Sequence, residues 1–333
     1  MHNPATPLPR VLSGMRPTGA LHLGHYHGAI KNWVRLQADH EGFYFVADWH
    51  ALTTHRAEPG ELHRAVYDMV TDWLAAGLDP ERSTLFIQSR MPEHAELFTL
   101  LAMCTPSSWL ARMPSYKDQV AADPELATYG FLGYPLLQAA DILLYKPAGV
   151  PVGEDQAAHV EVTREVARRF NRLYAADAPV FVEPQALLTE TARVPGLDGQ
   201  KMSKSAGNAI AMRDAPEVTA EKLRTMPTDP QRVRRNDAGE PARCPVWPLH
   251  EIYTDAATRA ACAEGCRSAS IGCLDCKQPL IEAIQKEQAP WRERAAALDP
   301  QQVRWIVEVG TERARAVARK TLREVRGLMG LVA

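Results

Sequence analysis

Two short stretches of this 333-residue chain carry side chains suited to chemistry on phosphate groups. In the first, His22 and His25 follow Gly19 and lie three residues apart, so both imidazoles face one side of a predicted helix start. The N-terminus of a helix offers unpaired N–H groups to phosphate, and imidazoles beside it can donate hydrogen bonds to phosphate oxygens in a transition state. Two histidines in a first helical turn are, by themselves, more often plain surface residues. The second stretch changes that interpretation.

The second stretch is the lysine- and serine-rich loop 201–205, which follows the flexible segment 195–199. Ammonium groups on a mobile loop can neutralise a leaving pyrophosphate and close over it. An exposed, solvated loop is the ordinary meaning of such a composition. The two stretches together, with an alternating pattern of strands and helices between them, favour a nucleotide site.

The elements between the two stretches predict an α/β fold. Apolar runs at 11–15, 43–47 and 83–88 predict strands, and helical periodicity covers about 22–37, 60–76 and 93–103. Strands that alternate with helices predict a Rossmann-like, doubly wound parallel sheet with helices on both faces. Such sheets bind ligands at the carboxyl ends of their strands.

The pattern changes near residue 212, where strand candidates end and helical segments dominate, at 215–224, 280–297 and 303–329. We therefore predict two domains, 1–211 and 212–333. The last helix is long and amphipathic, and we expect it to pack back on the first domain.

Composition describes an ordinary globular enzyme. Hydrophobic residues make up 46% and charged residues 23% of the chain, and the formal net charge is -2. This charge gives no global sign of nucleic-acid binding, so RNA contacts must come from local basic patches. The first ten residues lack the apolar core of a signal peptide, and no apolar run is long enough to span a membrane. We expect a cytoplasmic protein without a disulfide framework.

One charged side chain interrupts an otherwise apolar helical run at 134–144. Asp141 lies there with Gln138 three residues before it, on the same helical face. A carboxylate in such a run is costly unless it has a partner. It is either a buried acid paired with an internal base or an acceptor for a polar group on an apolar substrate. An indole N–H, which can only donate, fits the second interpretation.

Four cysteines form a second constellation, with the spacing C-x21-C-x6-C-x2-C: Cys244, Cys266, Cys273 and Cys276. Four thiolates suit a [4Fe–4S] cluster or a tetrahedral zinc ion, and spacing does not separate the two. The plain interpretation is a set of incidental cysteines, which the closing C-x-x-C disfavours. Cys262 is close enough to replace one ligand, and Cys104 lies outside the group.

Segments 17–25 and 201–205 resemble the HIGH and KMSKS signatures of class I aminoacyl-tRNA synthetases, the second letter for letter. Further matches at 47–53, 134–145 and 149–171 extend the resemblance over nearly the whole chain, to the bacterial tryptophanyl-tRNA synthetases. The resemblance implies activation of L-tryptophan by ATP with Mg²⁺, transfer to tRNA(Trp), a helical anticodon-binding domain and a homodimer.

The resemblance also assigns site residues. It implies that Asp141 binds the indole nitrogen. The residues that would hold the polar ends of tryptophan are Tyr134, Gln138, His50 and Gln156, and those lining the ring are Leu12, Val150 and Val152. The implied catalytic groups are His22, His25, Lys201 and Lys204. The implied ATP-binding residues are Arg16, Pro17, Thr18, Gly24, His25, Lys117, Gly153, Glu154, Asp155, Val194, Lys201, Met202, Ser203, Lys204 and Ser205.

The residues of the amino-acid site leave a second substrate open. Tyrosyl-tRNA synthetases share the pattern of Tyr134, Gln138 and Asp141, so these three residues alone do not decide the substrate. Separately, many tryptophan enzymes carry Gln where this chain has Arg16, so the implied ATP contact of Arg16 departs from the usual pattern. Leu12 and the segment 15–19 favour tryptophan over tyrosine. The sequence is also compatible with a small nucleotidyltransferase and with a non-catalytic RNA-binding protein that holds a metal cluster.

The cysteine spacing resembles that of a subset of bacterial tryptophanyl enzymes with a [4Fe–4S] cluster, so iron–sulfur is preferred, with zinc as the alternative. Its place in the helical domain implies a structural or anticodon-proximal role. Arg232, Arg234 and Arg235 precede the cluster as a basic run. Such a run is more commonly a solvated loop, but beside a tRNA-binding domain our hypothesis is that it contacts tRNA phosphates.

Overall fold

The computed structural model describes residues 8–54, 58, 60–153, 156–188, 194–204 and 206–331. Within these residues, the centre of the fold is a five-stranded parallel sheet in the order β3-β2-β1-β4-β5. Its strands are β1 (Arg10–Met15), β2 (Glu41–Val46), β3 (Ser83–Ile87), β4 (Gly149–Val152) and β5 (Gln185–Leu188).

Fifteen α-helices cover the sheet and continue beyond it within the described residues. They are α1 (Leu23–His25), α2 (Lys31–Leu36), α3 (Asp48–Leu52), α4 (Glu61–Ala76), α5 (Pro92–Ala102), α6 (Ser107–Ala111), α7 (Pro114–Ala122), α8 (Tyr129–Leu132), α9 (Tyr134–Tyr145), α10 (Ala157–Tyr174), α11 (Pro216–Thr225), α12 (Trp247–Tyr253), α13 (Ala256–Arg267), α14 (Cys273–Ala297) and α15 (Pro300–Leu328).

Strands β2 and β3 and most of β1 and β4 are buried on both faces, as their nearly continuous apolar sequences require, whereas the edge strand β5 is partly exposed. Two hydrophobic clusters lie on opposite faces, one around Trp33, Tyr44 and Trp73 and the other around Phe43 and Phe86. Strand order reverses between β1 and β4, so the topological switch point lies there. The predicted α/β class with a parallel sheet is confirmed, and the carboxyl ends of β1, β2, β3 and β4 meet at one edge.

Several elements differ from the sequence-based prediction. The helix expected over 22–37 is interrupted by a π-helical segment, Tyr26–Ile30, between α1 and α2. Such segments are frequent at functional sites, and periodicity does not detect them. Helix α14 begins at Cys273, seven residues before the predicted start, and runs through Pro279 because tertiary packing overrides local propensity. Strands β4 and β5 were missed because four residues carry too little periodicity.

Helix α15 lies against β3 and helices α4, α5 and α9 of the first part of the chain. At the crossing, Gly310 touches the backbone of β3 so closely that an added Cβ would overlap the carbonyl oxygen of Leu85. Arg326 donates to both oxygens of Glu96 at 2.6 Å, and Arg319 donates to Glu93 at 3.1 Å.

The division of the chain near residue 212 stays a prediction. Among the described helices, none has the length and apolarity that a membrane crossing requires.

The contact at Gly310 makes a testable prediction. Gly310→Ala should lower the free energy of unfolding by about 1–3 kcal/mol, because the new methyl group has no space against the strand backbone. Gly327, in the same helix, has no atom within 4 Å of the position that a Cβ would take, so Gly327→Ala should leave stability unchanged or raise it by up to about 1 kcal/mol. Urea titration of both variants measures the difference. Equal effects would contradict the close packing of α15 on β3.

Candidate active site and cysteine cluster

The two predicted phosphate-binding stretches meet in space although about 180 residues separate them. Backbone hydrogen bonds join the first stretch to the residues that follow the second: Leu23 N–H donates to the Ile210 carbonyl at 3.0 Å, and Met212 N–H donates to the Leu21 carbonyl at 2.9 Å. Lys204 Nζ reaches the carbonyl oxygen of Thr18 at 3.4 Å. The lysine loop therefore lies directly over the segment that precedes α1.

The two histidines of α1 are stacked, with ring centroids 3.7 Å apart. The backbone N–H of His22 donates to His25 Nδ1 at 3.2 Å, so the proton of a neutral His25 ring is on Nε2. Burial lowers the pKa of His22 to about 4, and burial, with His22 and Lys201 nearby, lowers that of His25 to about 3. Both rings are therefore neutral hydrogen-bond donors at neutral pH, and positive charge must come from the lysines.

Asn208 holds the lysine loop, and sequence reasoning missed it. Its Oδ1 accepts from the Ser203 N–H at 2.7 Å, and its Nδ2 donates to Asp198 at 2.7 Å and to the Lys201 carbonyl at 3.2 Å. Asn208 is buried, whereas Lys201 is exposed. The amide thus orders the loop backbone and leaves the ammonium group in solvent. Ser205 lies outside the described residues.

The other residues assigned to ATP surround this contact. Arg16 and Thr18 are exposed after β1, Pro17 is buried, and Arg16 donates to Thr54 Oγ1 at 3.2 Å. Gly24 lies beside the His22 ring and Met202, so an added Cβ would meet both. Val194 is buried and its carbonyl accepts from Met202 N–H at 3.4 Å. Gly153 follows β4, and Lys117 is exposed on α7. Glu154 and Asp155 lie outside the described residues.

Asp141 is fully buried on α9 and accepts hydrogen bonds at both oxygens. His94 Nδ1 donates to Oδ1 at 2.6 Å, and His50 Nε2 donates to Oδ2 at 2.7 Å. Gln88 Nε2 lies 2.9 and 3.0 Å from the two oxygens. His50 follows β2 and Gln88 follows β3, so the carboxyl ends of two strands position two of the three donors. Sequence reasoning missed Gln88 and His94.

These donors decide the charge of Asp141. Burial by itself raises the pKa of this carboxyl, but the hydrogen bonds from His50 and His94 outweigh burial and hold the pKa at about 2. The group is therefore an ionised acceptor enclosed by apolar side chains. The sequence left open whether Asp141 pairs with an internal base; the structure pairs it with two imidazoles.

The remaining residues assigned to the amino acid lie around Asp141. The ring centroids of Tyr134 and His50 are 4.3 Å apart. Gln138 Oε1 and His159 Nδ1 form a hydrogen bond of 2.8 Å. His159 Nε2 bonds in turn to Ser115 Oγ at 3.1 Å, which joins α7 to the site. Leu12 and Val150 are buried on neighbouring strands, Val152 is half-buried, and Gln156 precedes α10. His159 was not predicted.

The cysteines gather at one place between α12, α13 and the start of α14. Burial raises the pKa of the Cys276 thiol, and the neighbouring Cys262, Cys244 and Cys266 sulfurs raise it further. Among the described residues, the metal-ligating atoms grouped most tightly are those of His250, Cys262 and Cys276, all within 4.8 Å of one another. Only Cys276 of this group belongs to the predicted set of Cys244, Cys266, Cys273 and Cys276. His250, buried on α12, has no motif spacing that could have revealed it.

The predicted tRNA contact of Arg232 needs correction. Arg232 is buried, and its guanidinium donates to the carbonyls of Arg235 at 2.9 Å and Ile271 at 2.6 Å. It also lies 3.9 Å from Cys266 Sγ. The group therefore orders the loop around the cysteines and does not face solvent. Arg234 and Arg235 are exposed.

Comparison with known proteins agrees with this geometry. The family described as tRNA synthetases class I (W and Y) matches residues 5–287. The tryptophan–tRNA ligase of Ralstonia nicotianae is 52% identical, covering 97% of this chain and 98% of its own. That of Thermotoga maritima is 49% identical, covering 97% and 99%. A Campylobacter jejuni tryptophanyl-tRNA synthetase, solved in complex with ADP and tryptophan, superimposes with a TM-score of 0.86 at 32% identity, covering 97% and 100%.

These likenesses span the sheet, the two signature stretches and the helical region together, since each covers nearly the whole of both chains. The chain belongs to the class I tRNA synthetases of the tryptophan and tyrosine family.

Proposed function

We propose that the chain is a tryptophan–tRNA ligase, which activates L-tryptophan with ATP and esterifies tRNA(Trp). The observation that carries the choice of amino acid is the ionised, fully buried carboxylate of Asp141 among apolar side chains. The indole N–H is a single donor at the edge of a large apolar ring, so it matches one buried acceptor. Full-length relatives that are tryptophan–tRNA ligases support the same choice.

The reaction needs no covalent enzyme intermediate. A carboxylate oxygen of tryptophan attacks the α-phosphorus of ATP, the bond to the bridging oxygen breaks, and pyrophosphate leaves with that oxygen. His22 and His25, as neutral imidazoles, would donate hydrogen bonds to phosphate oxygens, while Lys201 and Lys204 would neutralise the pyrophosphate. Mg²⁺ enters with ATP as part of the substrate. A terminal ribose hydroxyl of tRNA(Trp) then attacks the activated carbonyl, and AMP leaves.

The residues assigned to each ligand, namely the ATP set and the tryptophan set given above, are part of this proposal. So are a homodimer and a cytoplasmic location, which the family resemblance implies. For tRNA, exposed Arg234 and Arg235 are the members of the basic run available to phosphate.

The function is tested by ATP–pyrophosphate exchange with purified protein and one amino acid at a time. We expect exchange with tryptophan, and at least about 10⁴-fold lower kcat/KM with phenylalanine, because the phenylalanine ring offers the Asp141 carboxylate no donor in place of the indole N–H. Exchange with tyrosine at a higher kcat/KM than with tryptophan would keep the mechanism and contradict the choice of substrate. No exchange with either would contradict the enzyme assignment.

The lysine loop makes a second prediction. Lys204→Gln should lower kcat for exchange by about 10²-fold with little change in KM for tryptophan, because the ammonium group acts on charge that develops on pyrophosphate. The matched control is Lys320→Gln on the exposed face of α15, which should match wild type. A rise in KM for tryptophan with kcat unchanged would place Lys204 in amino-acid binding instead.

We further propose that the cysteine cluster holds a [4Fe–4S] centre, with zinc as the alternative. The clustered thiols supply the donor set that either centre needs, and His250 and Cys262 are further candidate ligands. The centre would fix α12, α13 and α14 to one another and take no part in adenylate formation.

Protein purified without oxygen tests this centre. We expect brown protein with broad absorbance near about 400 nm and about four iron atoms per chain. Cys273→Ser should remove the absorbance, and the control Cys104→Ser, outside the group, should keep it. Loss of colour in Cys262→Ser would show that Cys262 is a ligand of the centre in place of one of the four assigned cysteines. Colourless protein that contains zinc would contradict the iron–sulfur assignment, and protein without either metal would contradict both.

A further inference from the structure

A line of hydrogen bonds runs behind Asp141, away from the residues assigned to tryptophan. His94 Nδ1 donates to Asp141 Oδ1 at 2.6 Å, and His94 Nε2 lies 2.7 Å from the hydroxyl of Tyr145. All three side chains are fully buried. The proposed reaction uses Asp141 but assigns nothing to His94 or Tyr145.

One bond in this line has a fixed direction. An ionised carboxylate only accepts, so His94 Nδ1 carries a proton and donates it to Asp141 Oδ1. Burial raises the pKa of Tyr145 well above its usual value, so the hydroxyl keeps its proton. The hydroxyl pairs with His94 Nε2, and this contact holds the far end of the His94 ring.

Gln88 supports the same carboxylate from the end of β3. Its Oε1 accepts the backbone N–H of Trp49 at 3.1 Å, which turns the amide nitrogen towards Asp141. Gln88 reaches both oxygens of Asp141, while His94 bonds Oδ1 and His50 bonds Oδ2. The His50 ring contacts Tyr134, one of the residues assigned to the amino acid, whereas the His94 ring is enclosed by Phe45, Phe86 and Tyr145. Among the described ring contacts of these two histidines, the one with a residue assigned to tryptophan is thus made by His50.

We propose that His94 and Tyr145 are positioning residues that set amino-acid selectivity by holding the Asp141 carboxylate in place through Oδ1, so that Oδ2 can exchange His50 for the indole N–H. This inference rests on the proposed function. A carboxylate with one oxygen fixed from behind presents the other at a defined position, and a buried acceptor so placed rejects a ring that lacks the donor. Without the fixed donors, the carboxylate can rotate or protonate and loses that preference.

The test compares tryptophan with 3-(3-benzothienyl)-L-alanine, in which sulfur replaces the indole N–H in a ring of similar shape. The selectivity ratio is kcat/KM for tryptophan divided by that for the analogue in pyrophosphate exchange. His94→Leu should lower this ratio about ten- to a hundredfold, through loss of tryptophan activity, with KM for ATP unchanged. His94→Asn, whose amide can occupy the Nδ1 position, should restore most of it.

Tyr145→Phe removes only the terminal oxygen and keeps the ring, so it tests the line even where His94→Leu fails to fold. We expect a smaller fall in the ratio, about three- to tenfold. The matched control is Phe86→Leu, which changes the packing around the His94 ring without a hydrogen bond in the line. It should keep the wild-type ratio even where stability falls.

The outcomes separate the two proposals. Wild-type exchange with tryptophan, combined with equal losses for tryptophan and analogue in Tyr145→Phe and His94→Leu, would overturn the positioning role and leave the proposed function intact. Absence of tryptophan-dependent exchange in the wild-type protein would overturn the function and this inference with it.

Discussion

The structure depends on a negative charge that is completely removed from water. An isolated carboxylate in an apolar interior would protonate or unfold its surroundings, so Asp141 requires donors on every side. His50, Gln88 and His94 supply them from three different elements. Removing one donor from such a site typically costs about 3–5 kcal/mol, because the charge that remains has no compensation. This requirement fixes where α9 lies relative to β2, β3 and α5.

The parallel sheet makes this arrangement possible. Because the carboxyl ends of parallel strands lie at one edge, the segments after β1, β2, β3 and β4 converge there. The segment before α1 meets the lysine loop, and the buried carboxylate lies at the ends of β2 and β3. In the proposed function, the first would supply cationic groups for the phosphates and the second an acceptor for the ring of the amino acid. Helix α15 packs against the edge strand β3, where Gly310 lies against the backbone of Leu85.

Local signals identified much of this architecture. The strands β1, β2 and β3 were predictable because each is a buried apolar run of five or six residues. Asp141 was recognisable because a charge in an apolar helix contradicts its surroundings. His94 and Gln88 were not, because a histidine in a helix and a glutamine after a strand look like ordinary polar residues. Their role depends on which elements the fold places side by side.

The cysteine region shows the same limit. The spacing of the cysteines predicted their clustering, but His250 and the position of Cys262 came only from the packing of α12, α13 and α14. The basic run beside it was interpreted from charge alone, and Arg232 proved to be buried among carbonyl groups. Asn208, which orders the lysine loop, lies only three residues beyond the KMSKS stretch, yet no pattern distinguishes it from other polar loop residues.

The central claim is that the Asp141 carboxylate receives the indole N–H while its rear donors stay in place. A crystal structure of this chain with bound tryptophan measures this directly. The account predicts the indole nitrogen at about 2.7–3.2 Å from Asp141 Oδ2, with His94 still bonded to Oδ1 and His50 displaced from Oδ2. An indole nitrogen bonded to another group, with all three donors still on Asp141, would contradict it.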